Sequence, residues 1–292
     1  LRTMFSSEAV LGKNVSVCEH SLLHSYNASG WICSVHIFRI IRIFGSNFEG
    51  EVLMDSFVME VAGFGFAVEP LFGSTQAYCA GYLSDREPDY VITVSRNDLV
   101  REQELLNIEA DEEGLKRRKF SDMFLERSVI QRRVAELLIH QNVLLMHGST
   151  VAVDGKAYLF TASCGTGKST HTRLWREVFG DRALMVNDDK PFLRFEADGV
   201  YAYGSPWTGK HGIGNPIMAR LQGICVLRRG PENVIRRAES GDFQEFIQHQ
   251  CFLAEEAPEL VQKLLWQVPV WEMECTKEPE AARVAFDAMS NV

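Results

Sequence analysis

The stretch from Ala157 to Thr170 reads AYLFTASCGTGKST and decides the fold of this chain. Its first four residues are apolar, which is typical of a buried strand, and the residues from Ser169 to Phe179 have the pattern of a helix. A glycine-rich loop lies between them. In such a loop, backbone N–H groups turn inward on an anion, a lysine reaches terminal phosphates and a hydroxyl binds Mg²⁺. The sequence therefore predicts a strand, a phosphate-binding loop and a helix in succession.

The loop contains the parts that a P-loop (Walker A) motif requires. Gly165 and Gly167 provide the turning backbone, Lys168 the charge and Ser169 the hydroxyl. The strict pattern has Gly at position 162, where this chain has Ala. The alternative is a glycine-rich turn that only caps a helix. We predict that the nucleotide-binding residues are Ser163, Cys164, Gly165, Thr166, Gly167, Lys168, Ser169 and Thr170.

A pair of carboxylates follows the next predicted strand, Ala183–Val186. Asp188 and Asp189 come shortly after its end. A carboxylate at the end of a neighbouring strand can bind the metal of a nucleotide site, and a second one can accept a proton from an attacking hydroxyl. The alternative is a helix cap or a turn.

Two further segments carry candidate site residues. His147 follows directly on a short predicted strand, so it can lie at the sheet end that bears the phosphates, although a lone histidine is more often structural. A second glycine-rich segment, residues 204–215, contains Lys210 and His211. Glycine lets backbone approach a ligand and lysine offers a point charge, so this segment reads as a second anion or substrate loop. An ordinary flexible connection is the alternative.

The fold class follows from the order of the predicted elements. Strands and helices alternate, but Asp154-Gly155 and Asp198-Gly199 each separate two apolar runs and predict hairpins. We therefore expect an α/β fold with a mixed sheet, in which the strand before the loop is antiparallel to its predecessor.

We expect three parts along the chain. Residues 1–53 form an N-terminal extension that the fold does not need, the alternative being a genuine strand-and-helix element. Residues 54–120 form a small β-rich lobe and linker, in which Asp98–Lys119 reads as a charged connector. Residues 121–292 form the core, and Ser121–Gln141 has the spacing of an amphipathic helix. The strands predicted in the lobe are Phe57–Val61, Phe64–Val68 and Tyr90–Val94.

Composition excludes several classes of protein. The 292 residues have a formal net charge of −9, which argues against nucleic-acid binding through a broad basic face. The seven cysteines are scattered without a C-x-x-C pair, so neither a zinc knuckle nor a disulfide framework is expected. The most apolar stretch, Trp31–Phe44, is short and charged, and no leader pattern precedes it. We expect a cytoplasmic protein with no membrane or nucleic-acid partner.

The order of these motifs resembles the kinase domain of HPr kinase/phosphorylase and the ATP-dependent phosphoenolpyruvate carboxykinase group. The resemblance covers about residues 143–290. Two runs, 169–175 and 205–210, are similar to smaller kinase-like members, some found beside modified-peptide biosynthesis. The matching motifs are His147-Gly148, the loop Ser163–Thr170, Asp188-Asp189 and Gly212-Ile213-Gly214-Asn215.

The resemblance implies a role for each matching residue. Lys168 would neutralise the transferring phosphoryl group, and Ser169 would bind Mg²⁺ together with Asp189. Asp188 would act as the general base, with His147 holding or polarising it, although the two aspartates could exchange roles. Lys210 would lie near the phosphates or the substrate.

Departures from the family restrict the substrate. Ser205-Pro206-Trp207 stands where HPr kinase/phosphorylase has Glu-Arg-Gly, which argues against that protein substrate. The large carboxykinase framework does not fit the available length.

These inferences favour a P-loop kinase that uses ATP and Mg²⁺. The expected acceptor is a hydroxyl of a peptide or protein Ser or Thr, or of free serine, and a homo-oligomer stays open. The alternatives are a nucleotide-binding regulatory module without turnover and a carboxykinase-like or phosphorylase-like activity.

Overall fold

The computed structural model describes His24–Tyr26, Ile32–Ser34 and residues 55–112, 114–239 and 241–291. The chain divides into two compact units, Leu1–Val52 and Leu53–Val292. In the first unit the described residues are two antiparallel strands, β1 (His24–Tyr26) and β2 (Ile32–Ser34). The rest of the predicted extension, and the question of whether the fold needs it, lies outside the described residues.

A three-stranded sheet opens the second unit. It contains β3 (Phe57–Val61), β4 (Phe64–Glu69) and β5 (Tyr90–Thr93), with β3 antiparallel and β5 parallel to β4. The short helix α1 (Ser74–Tyr78) lies between β4 and β5 in the chain. All three strands occur where the apolar runs predict them.

Two long helices follow, α2 (Arg96–Glu112) and α3 (Asp122–Ile139). Helix α3 confirms the amphipathic helix, and the Ser121 side chain caps it by accepting a hydrogen bond from a backbone N–H at 3.3 Å. The prediction of a charged connector over Asp98–Lys119 is wrong for most of that range, because α2 continues to Glu112.

Helix α2 has no apolar stripe because it packs on α3 partly through charges. Its buried residues are Leu99 and Glu102. The Glu102 carboxylate accepts a hydrogen bond from Arg132 of α3 at 2.9 Å. A helix that packs through an ion pair lacks the periodic apolar residues by which an amphipathic helix is predicted from sequence.

The core is a nine-stranded mixed sheet, as the hairpin signals predict. Its strands are β6 (Val143–Leu145), β7 (Ser149–Val153), β8 (Lys156–Thr161), β9 (Ala183–Asn187), β10 (Phe192–Glu196), β11 (Gly199–Tyr203), β12 (Met218–Arg229), β13 (Val234–Arg237) and β14 (Val270–Cys275). The spatial order is β6-β10-β11-β12-β8-β7-β9, and β14 joins β12 to β13. Both predicted hairpins occur, and Asp154 and Gly155 turn the first with φ of 51° and 79°.

Helices cover both faces of this sheet. On one face, α4 (Lys168–Phe179) and α7 (Glu280–Ser290) pack on alternate residues of β8, among them Tyr158 and Phe160. On the other face, α5 (Gln244–Gln250) and α6 (Pro258–Gln267) contribute to the cluster that contains Leu159 of β8. Burial on both faces explains the uninterrupted apolar run before the loop.

The sheet topology brings several loops to one edge. Strands β8, β12 and β14 are parallel, and β7 is antiparallel to both β8 and β9. The carboxyl ends of β8, β9, β12 and β14 therefore lie at the same edge, and so does the start of β7. None of the helices in the described part of the chain is long and apolar enough to cross a membrane.

Candidate active site

The segment between β8 and α4, residues 162–167, forms a tight turn that we call the phosphate loop. Gly165 and Gly167 have φ of 76° and 129°, a region that side chains with a Cβ rarely adopt. The Lys168 ammonium donates a hydrogen bond to the carbonyl of Ala162 at 3.0 Å. A Cβ on Gly165 would have no neighbour within 4 Å, so the space beside the loop is open at this point.

Arg229, at the end of β12, holds the phosphate loop in place. Its Nε donates to the carbonyl of Thr166 at 3.1 Å, and its Nη2 donates to the carbonyl of Gly165. The loop lies at the N-terminus of α4, where unsatisfied N–H groups and the helix dipole favour an anion.

Asn187, the last residue of β9, positions the carboxylate pair, Asp188 and Asp189. Its Oδ1 accepts hydrogen bonds from the backbone N–H of Asp189 at 2.8 Å and of Lys190 at 2.7 Å. Its Nδ2 donates to the carbonyl and hydroxyl oxygens of Ser205 at 3.1 Å and 3.0 Å. The buried amide thus joins the end of β9 to the second glycine-rich segment.

Asp188 is a buried carboxyl group with one unused oxygen. Only 4% of the residue is exposed. Its Oδ1 accepts a hydrogen bond from the Gly209 N–H at 2.7 Å, whereas its Oδ2 is buried and has no hydrogen-bond partner among the described residues. Burial raises the pKa of Asp188 above its ordinary value, and the Gly209 N–H opposes the rise. Oδ2 is therefore available to accept a proton or to bind a cation.

Asp189 contacts His147 across the start of β7, with 3.3 Å between Oδ1 and Nε2. Burial raises the pKa of Asp189, but the hydrogen bond with His147 and the charges of Lys190 and Lys168 outweigh it, so the pKa is lowered. The same hydrogen bond raises the pKa of His147, but burial and the two lysines lower it overall. At neutral pH the pair is an ionised carboxylate beside a neutral imidazole.

The histidine contact distinguishes the two aspartates, which the sequence left exchangeable. His147 contacts Asp189, whereas the resemblance named Asp188 first as the carboxylate that His147 would hold or polarise. The reason is the Asx-type turn at Asn187, which directs the two successive aspartates to different partners.

The second glycine-rich segment is anchored rather than flexible at its start. Ser205 and Trp207 are buried, and the Trp207 indole N–H donates to the carbonyl of Arg127 at 2.8 Å. A Cβ on Gly209 would lie 3.2 Å from the Asp189 Cβ, which is a tight contact, and 3.4 Å from the Asp188 Oδ2, so a side chain here would press on the carboxylate pair. Lys210, the next residue, is exposed, and its expected place near phosphates stays a prediction.

One side of the phosphate loop borders a cavity of about 360 Å³, the loop-side cavity. His171 of α4 contributes to it, although only 2% of that residue is exposed and neither ring nitrogen has a hydrogen-bond partner. Burial lowers the pKa of His171 to about 3. Glycines, Leu227 and Cys275 form part of the remaining wall. Its polar and cationic side chains are Thr166, Thr170, Arg229, Thr276 and Lys277.

On the side of His147 and Asp189 lies a second cavity of about 480 Å³, the histidine-side cavity. Residues of α2 and α3 and the segment 249–253 form its other walls. The phosphate loop therefore has the carboxylate pair and this cavity on one side and the loop-side cavity on the other.

Sequence reasoning missed Asn187, Arg229 and Arg127 as contributors to this region. Arg229 could have been predicted, because it ends β12, which is parallel to β8 and ends at the sheet edge that bears the phosphate loop. Arg127 had none, since it is one of several arginines on an amphipathic helix and its position depends on how α3 packs.

Comparisons with known proteins add little to this geometry. No protein-family model and no curated protein matches the chain. A solved structure of the Hpr(Ser) kinase/phosphatase from Coxiella burnetii has 14% sequence identity and a TM-score of 0.31, over 50% of this chain and 99% of that chain. A likeness at this level supports no conclusion about function.

Proposed function

We propose that this chain is a kinase that uses ATP and Mg²⁺ to phosphorylate a hydroxyl group. The observation that carries the proposal is the buried Asp188, whose Oδ2 lacks a partner and whose pKa is raised by burial, at the sheet edge that bears the phosphate loop. A buried carboxyl group whose pKa is raised holds a proton more readily than an exposed one, which suits it to accept a proton from a reacting hydroxyl.

The phosphate loop and its surroundings support nucleotide binding. Glycine backbone, Lys168 and the start of α4 form an anion site of the kind that terminal phosphates occupy. The loop-side cavity is the proposed place for the nucleoside, because it adjoins the loop on the side away from the carboxylates. Its Arg229 and Lys277 would compensate phosphate charge.

Ser169 and Asp189 are the residues that would hold Mg²⁺. This ion takes one or two protein oxygens and completes its shell with water and phosphate oxygens. Among the described residues no group of three or more metal-ligating side chains exists, so a site shared with phosphates is the form that fits. Asp189 suits the role because its lowered pKa keeps it ionised. When bound, Mg²⁺ neutralises charge on the phosphates.

In the proposed step, Asp188 Oδ2 accepts the proton of the acceptor hydroxyl. The hydroxyl oxygen forms a bond to the γ-phosphorus, and the bond from that phosphorus to the β,γ-bridging oxygen breaks, which releases ADP. The protein would contribute position and charge neutralisation, the latter through Lys168. His147, whose Nε2 lies 3.3 Å from the Asp189 Oδ1, would hold that carboxylate in place while Asp188 accepts the proton.

The test uses labelled ATP and three variants. Asp188→Asn should keep ATP affinity and lose turnover by about 10²–10⁴-fold, the usual worth of a general base. Lys168→Ala should lose ATP affinity. Asp181→Asn, the same change at an exposed aspartate, should behave as the wild type.

Two results would count against the proposal. Unchanged ATP binding in Lys168→Ala would remove the loop assignment. ATP binding with no turnover above that of Asp188→Asn, over a panel of hydroxyl acceptors, would favour the regulatory module instead.

A further inference from the structure

The histidine-side cavity has the dimensions of a small-molecule site. Its volume of about 480 Å³ lies within the range of pockets that enclose small ligands, roughly 300–1,000 Å³. His147 and Asp189 form one end, and residues of α2 and α3 close it laterally. Asp189 of the carboxylate pair lines this cavity, so an acceptor bound in it would lie next to the pair.

Two arginines of α3 line the cavity, and their pairing differs. Arg132 is fully used, because it donates to Glu102 at 2.9 Å and to Glu109 at 2.9 Å. Arg127 has no hydrogen bond or ion pair from its guanidinium to any described residue, and its Nε is buried without a partner. Its guanidinium instead stacks on the Tyr78 ring at 4.2 Å. A partly buried cation without an anion is unusual and indicates a place for one.

Neighbouring groups extend this pattern. The Nε2 of Gln131, one helical turn from Arg127 on the same wall, is a buried donor without a partner. Lys190 also lines the cavity, and no described carboxylate forms an ion pair with it. Arg127 and Gln131 therefore bring unpaired donors to the cavity that Asp189 also lines, and Lys190 adds positive charge beside them, which suits a compact anion such as a carboxylate.

We infer that the acceptor is a hydroxylated molecule with a carboxylate near its hydroxyl, and that Arg127 binds this carboxylate. The inference rests on the proposed kinase function and narrows its acceptor. Two sources share this chemistry, a free hydroxy acid or hydroxyl amino acid and the last residue of a peptide. A serine inside a folded protein, which has no carboxylate beside it, does not fit.

The decisive experiment compares matched acceptors. Phosphoryl transfer is measured for D-glycerate and glycerol, for L-serine and L-serine amide, and for Gly-Gly-Ser with a free or an amidated carboxyl end. The wild type should prefer at least one acid over its neutral partner by about 10–100-fold in kcat/KM, as expected for a charged hydrogen bond. The pair that shows the preference identifies the source.

Variants assign the preference to Arg127. Arg127→Met keeps apolar contact with Tyr78 and removes the charge, so the ratio of acid to neutral rates should fall close to one. Arg127→Lys should restore part of it. Arg101→Met, the same change at an exposed arginine of α2, should keep the wild-type ratio, and thermal unfolding checks that all variants fold.

A binding measurement separates failure of this inference from failure of the kinase proposal. Calorimetry with D-glycerate, L-serine and Gly-Gly-Ser with a free carboxyl end, in the presence of a non-hydrolysable ATP analogue, should show binding of at least one of them that Arg127→Met loses. If these acids bind through Arg127 but nothing is phosphorylated, the kinase proposal fails and the anion site stands. If neutral acceptors are phosphorylated as fast as the acids, or if none of the acids binds, the inference is overturned.

Discussion

His171 should make this protein sensitive to acid, and the size of the effect follows from its burial. Only 2% of the residue is exposed, and neither ring nitrogen has a partner that could stabilise the imidazolium. Desolvation therefore lowers its pKa from 6.5 to about 3 in the folded state. Below pH 6.5 His171 binds a proton in the unfolded chain but stays neutral in the folded chain. Stability therefore falls as pH falls from about 6.5 toward 3.

The magnitude can be worked out from these two pKa values. Proton binding at His171 lowers the free energy of unfolding by almost nothing at pH 7 and by about 2 kcal/mol at pH 5. The loss grows by about 1.4 kcal/mol for each further pH unit until the folded pKa is reached. For a domain whose total stability is of order 10 kcal/mol this is a large change.

The assay is urea unfolding of the wild type and of His171→Leu at several pH values between 5 and 7.5. Leucine is apolar and of similar size, and it removes two buried polar atoms that have no partner, so we expect the variant to keep its stability at pH 7. The difference in unfolding free energy between variant and wild type should increase by about 2 kcal/mol from pH 7 to pH 5. Other titrating groups are common to both proteins and cancel in this difference.

A control and a contrary result complete the design. His140→Leu, the same change at an exposed histidine, should leave the pH dependence of the wild type in place. Parallel pH curves for wild type and His171→Leu would refute the reasoning, because they would mean that His171 takes up its proton without cost when folded.

Three further substitutions test other parts of the structure. Gly209→Ala should lower turnover by about tenfold or more with little change in ATP affinity, because its Cβ would press on the carboxylate pair. Gly81→Ala adds a Cβ in open space and should keep the wild-type turnover; equal turnover in the two variants would contradict this prediction. Glu126→Ala should lower the free energy of unfolding in urea by about 3 kcal/mol, because it leaves the half-buried N–H groups of Leu71 and Phe72 and the buried hydroxyl of Thr75 without their acceptor. Glu136→Ala on the exposed face of α3 is its control, and equal unfolding midpoints would refute the role. Arg229→Met should weaken ATP binding several-fold in a titration by releasing the phosphate loop, with no change in thermal stability; unchanged affinity would rule out this role.

Local patterns predicted the parts of the fold that depend on near neighbours in the chain. The Asp154-Gly155 turn adopts positive φ at both residues, which only a few residue types tolerate, so the hairpin between β7 and β8 could be predicted. The strand Lys156–Thr161 could be predicted for a similar reason, because burial on both faces requires an uninterrupted apolar run.

Elements that are stabilised by residues distant in the chain could not be predicted from the sequence. Helix α2 has few buried apolar residues and packs on α3 through Glu102 and Arg132, 30 residues apart in the chain. Its charges therefore looked like those of a solvated connector. Strand β13 (Val234–Arg237) was missed as well, because it pairs at the edge of the sheet with β14 and has one half-buried residue among exposed ones.

The sequence by itself determined the kinds of chemical groups in this protein: a glycine-rich loop with Lys168 and Ser169, and two aspartates after a strand. Loop conformation and strand alternation depend on residues a few positions apart, so they can be read along the chain. Only the tertiary structure decided that His147 contacts Asp189 and that, within the described part of the chain, Asp188 keeps one unused oxygen and Arg127 has no anionic partner. Burial and charge pairing depend on which distant elements meet, and the packing of sheet and helices sets that.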